Sequence, residues 1–125
     1  MKIKRWLEGE MNRKIELHND VSKGLLLHNG FKEYSYNKFS KCKILYNPLI
    51  VLRIEIDLNE MGVTYDVIDR NTQETYYPFW NNINGKNNLV AVKVIENFES
   101  YIEELIHRKI LRRYKKYGKR KNNNG

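Results

Sequence analysis

Apolar side chains recur at steps of three and four near the start of the chain, where Ile3, Trp6, Leu7, Met11 and Ile15 form one stripe over residues 3–17 and predict a helix. Gly9 weakens that helix by about 1 kcal/mol relative to alanine. Asp20 reads as the N-cap of a second, short helix through Val21, Leu25 and Leu26, with Asn29-Gly30 as its left-handed stop. A helix pair, or one broken helix, is therefore expected to open the fold. After residue 33 the period falls to two. In Leu52-Arg53-Ile54-Glu55-Ile56-Asp57-Leu58 every even position is apolar and every odd one charged, as a strand with one buried face requires. Val63-Thr64-Tyr65-Asp66-Val67 repeats the pattern after the turn Asn59-Glu60-Met61-Gly62. Arg70-Asn71-Thr72-Gln73 turns the chain again into residues 74–80, where Pro78 removes a ladder donor and points to an edge strand. A less regular strand is expected within residues 34–45, ending at Asn47-Pro48. Helical spacing resumes after the Asn- and Gly-rich residues 81–88, with Asn88 as N-cap. Val92, Ile95, Phe98, Ile102, Leu105 and Ile106 share one face, and Glu96, Glu99, Glu103 and Glu104 the other.

These elements predict an α+β fold: an N-terminal helix or helix pair, an antiparallel meander of three to four strands, and a long C-terminal helix packed across the sheet, followed by a basic tail. At 125 residues the chain closes one core, so residues 1–111 read as a single domain and residues 112–125 as an extension. Beyond Ile106 only Ile110 and Leu111 offer apolar anchors, which makes core and arm look energetically separable. No run approaches the roughly 18 apolar residues of a membrane helix. Met1-Lys2-Ile3-Lys4-Arg5-Trp6 leads into mixed polar sequence rather than a signal-type apolar block, so a cytoplasmic protein is expected.

Charge changes the picture most. The formal net charge is +8, yet residues 1–107 hold 14 Lys and Arg against all 15 Asp and Glu, a net of −1. The excess lies in nine cations between residues 108 and 121 with no acid among them: Arg108, Lys109, Arg112, Arg113, Lys115, Lys116, Lys119, Arg120 and Lys121. With Tyr114 and Tyr117 interleaved, they combine phosphate contacts with stacking rings, the two elements of single-strand and RNA binding. The plain alternative is a solvated tail. The second candidate is Tyr76-Tyr77-Pro78-Phe79-Trp80, four rings in five residues. On an alternating strand only half of them are buried, leaving Tyr76, Tyr77, Phe79 and Trp80 to divide between core and a protein interface, a homodimer contact included.

The third candidate is acidic. Glu55, Asp57 and Asp66 share one sheet face, as a metal-dependent nuclease would want, but a register that places Arg53 opposite Asp66 turns them into a neutralised, solvated face. His18, His28 and His107 are scattered, and Cys42 is the single cysteine, so neither a disulfide nor a thiolate zinc site is expected, and no metal or cofactor.

The order helix, antiparallel strands, helix, with Lys86 near the start of the last helix, resembles the double-stranded-RNA-binding domain; Gly85-Lys86-Asn87-Asn88-Leu89-Val90 lacks that family's lysine run, and no site residue is carried over. In size, charge and Asn/Lys/Ile-rich composition the chain is also similar to small accessory proteins of bacteriophages and mobile elements, and that resemblance implies an inhibitor of a host nucleoprotein enzyme such as a CRISPR nuclease. The leading expectation is a non-enzymatic protein that binds nucleic acid or a nucleoprotein enzyme through its basic arm. A nuclease and a homo-oligomeric assembly protein are the alternatives.

Overall fold

In the computed structural model, which describes residues 15–81 and 88–113, the chain runs β1 (Ile15–Leu17), α1 (Lys23–His28), β2 (Lys32–Ser35), β3 (Lys38–Tyr46), β4 (Ile50–Asp57), β5 (Gly62–Asp69), β6 (Glu74–Thr75), α2 (Tyr77–Trp80), α3 (Leu89–His107) and β7 (Leu111–Arg113). Strands β2 to β6 pair with their neighbours in chain order to make one antiparallel sheet, and β1 pairs with β7 as a separate antiparallel ribbon. The α+β reading holds, with five strands in the meander.

Alternation decides which face is buried. Ile50, Leu52, Ile54 and Ile56 of β4 lie opposite Tyr46, Lys43, Lys41 and Phe39 of β3, and Leu52 and Ile54 opposite Val67 and Tyr65 of β5. Against this face packs α3, which buries Ala91, Val94, Phe98, Tyr101, Ile102 and Leu105 at helical spacing. Removing each such Leu, Ile or Phe side chain from water stabilises the fold by about 1.5–3 kcal/mol. Asn88 caps α3 as expected, its side chain accepting from Ala91 N at 3.0 Å. The β1–β7 ribbon adds Ile15, Leu17 and Leu111 to the same core and contacts both β5 and α3.

Several expectations are corrected. The helix expected over residues 3–17 does not include its last three residues: Ile15 and Leu17 are buried with Glu16 half-buried between them, a period of two, in β1. Residues 3–14 lie outside the described part. Helix α1 is capped by Ser22, whose hydroxyl accepts from Leu25 N at 3.1 Å, and not by Asp20. The single strand expected in residues 34–45 is a hairpin, β2 and β3. Asn37, at φ 58°, makes its turn and clips it to the next one through Asn59, whose Oδ1 accepts from Asn37 Nδ2 at 3.0 Å. The aromatic strand over residues 74–80 is only two residues of strand. Pro78 falls in the first turn of α2, where no backbone donor is needed, and so starts a helix.

The boundary placed after residue 111 falls inside β7, which runs to Arg113. Nor are core and arm separable from residue 108 onward, because Ile110 and Leu111 are 0% exposed. Both helices that precede these turns end alike. After α1, Phe31 N donates to Leu26 O and Gly30 N to Leu27 O, with Gly30 at φ 89°; after α3, Ile110 N donates to Leu105 O and Lys109 N to Ile106 O, with Lys109 at φ 66°. This is the Schellman arrangement, and in both cases the next residue, Phe31 or Ile110, is buried.

Candidate cationic binding surface

The acid-free run of nine cations divides in two. Arg108, the C-cap of α3, lies 3.2 Å from Glu104 and donates to Asn29 Oδ1 at 2.8 Å. Arg112 pairs across the ribbon with Glu16 at 2.7 Å. Arg113 reaches Glu99 at 3.2 Å and also Glu103; burial works against its charge, but the two glutamates outweigh it and raise its pKa. Three of the nine are thus held by the fold's own carboxylates, and Glu99, Glu103 and Glu104 are those that the helical pattern placed on the outer side of α3. Half-exposed pairs like these contribute up to about 1 kcal/mol each. They also occupy the charge. Lys109 is exposed and has no ion pair among the described residues. Tyr114, Lys115, Lys116, Tyr117, Lys119 and Arg120 lie outside the described part.

Two lysines that sequence reasoning missed stand beside the end of α3. Because cross-strand partners share a face, Lys41 and Lys43, opposite Ile54 and Leu52, belong to the inner row of β3 that starts with Phe39. Lys41 Nζ donates to Asn29 O at 2.9 Å and sits 5.9 Å from the centre of the Phe31 ring and 5.5 Å from that of Tyr101; Lys43 Nζ is 5.1 Å from the same Tyr101 ring. Burial lowers the pKa of Lys41, Lys43 and Arg108 lower it further, and Glu104 opposes them. Asn29 is the hub: its carbonyl takes Lys41 of β3, its Oδ1 takes Arg108 of α3, and its Nδ2 donates to Leu25 O of α1 at 2.9 Å. Gly30 next to it is favoured by its φ of 89°, and a Cβ there would stand 3.1 Å from Lys41 Nζ and press on that side chain.

Beneath the lysines, Tyr101 is 4% exposed and its hydroxyl has no hydrogen-bond partner among the described residues. Burial, with Glu104 adding and Arg108 opposing, pushes its pKa up to about 12, so it stays a neutral O–H donor. The resulting surface carries Lys43, Lys41, Arg108 and Lys109 around the C-terminal end of a helix, where the helix dipole also favours positive charge.

The aromatic run is mostly spent on the core. Phe79 is fully buried, edge-on to Phe98 at 4.8 Å; Trp80 stacks on Tyr65 at 5.5 Å; Tyr76 is half-buried, and burial followed by Asp69 and Tyr46 raises its pKa. Tyr77 alone of the four is exposed. The register places Arg53 opposite Asp66, the neutralised option, with Glu55 opposite Thr64 and Asp57 opposite Gly62. Asp66 accepts from Thr75 Oγ1 at 3.0 Å and Trp80 Nε1 at 3.4 Å, so it ties β6 and α2 to β5. Glu55 and Asp57, with Tyr34, Lys38, Glu60 and Thr64, line an open cleft of about 360 Å³ on the outer sheet face. Among the described residues no group of three His, Cys, Asp or Glu is placed to hold a metal ion, and no helix is long and apolar enough to cross a membrane.

No protein-family model matches the chain, and no curated protein matches it in sequence. Among solved structures, the crystal structure of a DUF1831 family protein from Lactobacillus plantarum is similar to this fold, with a TM-score of 0.61, 19% identity, and coverage of 78% of this chain and 84% of that one. At that identity the likeness is one of fold alone.

Proposed function

We propose that this protein is a non-catalytic binder of polyanions, with nucleic acid, bare or within a nucleoprotein, as its partner. The observation that carries the reading is the division of its basic run. The fold neutralises Arg108, Arg112 and Arg113 with its own glutamates, while Lys109 and the five cations from Lys115 to Lys121 have no acid near them in sequence. Lys41 and Lys43 add positive charge beside the C-terminus of α3, where burial lowers the pKa of Lys41. The carboxylate that a nuclease would need, Asp66, is instead engaged by Thr75 and Trp80.

The test is affinity for a labelled single-stranded oligonucleotide, RNA and DNA in turn, between low and moderate salt. Four engaged cations give a log–log slope near −3, because each neutralised phosphate releases about 0.7–0.9 counterion. Binding that is absent, or flat with salt, refutes the proposal. Incubation with Mg²⁺ or Mn²⁺ is expected to leave the oligonucleotide intact.

A further inference from the structure

We propose that Lys41, Lys43 and the Tyr101 hydroxyl form a seat for one phosphate group. This rests on the polyanion-binding reading above and gives it a location. Two ammonium groups lie over one ring, 5.5 and 5.1 Å from its centre, and neither has an ion pair among the described residues. Glu104, the acid nearest Lys41, is occupied by Arg108. That ring carries a hydroxyl that is buried with no hydrogen-bond partner among the described residues, in a residue only 4% exposed. A core tyrosine with no use for its hydroxyl would be replaceable by phenylalanine, since a buried unpaired polar group costs stability.

A phosphate oxygen is the acceptor this arrangement lacks. It takes an O–H bond from the phenol, which burial keeps protonated, and charge-assisted bonds from both lysines. Lys43 is exposed, and moving its stem would open the hydroxyl to the ligand. Lys41 is fixed by its bond to Asn29 O, which keeps one ammonium in place before the ligand arrives. The seat contacts no base, so it positions a strand without reading its sequence.

Tyr101→Phe and Lys43→Gln test the seat separately, using oligonucleotide affinity as a function of salt and the melting temperature of each free protein. Tyr101→Phe is expected to melt at or above the wild-type temperature and to bind about tenfold more weakly with an unchanged salt slope, because it removes a neutral donor. Lys43→Gln is expected to reduce the slope by about 0.7–0.9, the contribution of one phosphate. Wild-type binding that is steep in salt while both variants match it overturns the seat and leaves the polyanion reading standing. Wild-type binding that is flat in salt overturns both. A marked loss of melting temperature in Tyr101→Phe also overturns the seat, since the hydroxyl would then have a structural partner. Inorganic phosphate alone separates the two sources of the group. If it raises the wild-type melting temperature and not that of Tyr101→Phe, the seat takes free phosphate. If it raises neither while the oligonucleotide effects hold, the seat takes the backbone diester. Either result supports it.

Discussion

Cutting the chain after His107 and cutting it after Arg113 should give opposite results, although both remove most of the basic run. Truncation after His107 takes away Ile110 and Leu111, each 0% exposed. Truncating a buried Ile or Leu to alanine costs about 2–5 kcal/mol, so the pair is worth about 4–10 kcal/mol. The same cut removes the β1–β7 ladder and the partners of Glu16, Glu99 and Glu103. A domain of this size has only about 5–15 kcal/mol in total. At about 4 °C per kcal/mol, the shorter chain should be unfolded at 25 °C or melt at least 15 °C lower. Truncation after Arg113 keeps all of these contacts and should melt within about 5 °C of the full chain. Far-ultraviolet circular dichroism during heating measures both. Ile110→Ala and Leu111→Ala, expected to fall between, separate the core contribution from the ladder. If the chain ending at residue 107 melts within about 5 °C of the full one, the view of β7 as an integral strand is wrong.

Asp66→Ala should destabilise by about 1–3 kcal/mol, since it leaves the Thr75 and Trp80 donors without their shared acceptor; an unchanged melting temperature would mean that the carboxylate is spare. Alkaline titration should expose Tyr101. Its pKa is raised in the folded state, so its stabilisation is complete below about pH 10 and is lost as the pH climbs towards about 12, a fall of about 2–3 kcal/mol that a Tyr101→Phe protein lacks. Lys41 works the other way. Its depressed pKa costs stability at neutral pH, and that cost is relieved as the pH rises towards the usual lysine value of 10.5, so in denaturant titrations the stability of the wild type relative to Lys41→Met should improve over that range; a constant difference would contradict the burial of the ammonium. Lys109→Gly should stabilise by up to about 1 kcal/mol, because Lys109 occupies a left-handed conformation at φ 66° that glycine adopts without strain, while oligonucleotide affinity falls; a lowered melting temperature would contradict the turn geometry.

In β4, β5 and α3 the fold was legible: each follows its pattern, and the electrostatically comfortable Arg53–Asp66 register is the one adopted. Short elements were not. Three residues of β1 and three of β7 offer too few positions to tell a period of two from one of 3.6, and each forms only because the other is there to pair with it. The turns hid for a different reason. Asn37, Asn47, Met61, Gln73 and Lys109 all adopt positive φ in the links between elements, and only asparagine announces that conformation. The candidate site was half legible. Composition marked the basic run, but which arginines the fold would neutralise depended on Glu16, 96 residues from Arg112, and on a helix face read as solvent-exposed. Lys41 and Lys43 were invisible, because a lysine facing a core breaks the alternation that identifies the inner row, and only the register with Ile54 and Leu52 reveals it.

The ribbon that joins the two ends of the described fold also sets the order of events when the chain folds or is pulled. Ile15 faces Arg113, a separation of 98 residues (113 − 15), whereas each strand of the meander meets its neighbour across a short turn. Closing so long a loop costs about 3 kcal/mol more in chain entropy than closing a four-residue turn. The meander therefore zips by local closures, and β1 meets β7 only once the rest has brought the ends together. Force applied to the segment beyond Arg113, as a bound partner applies it, reaches this three-residue ladder before any other strand. The domain thus takes its mechanical load at its least local closure.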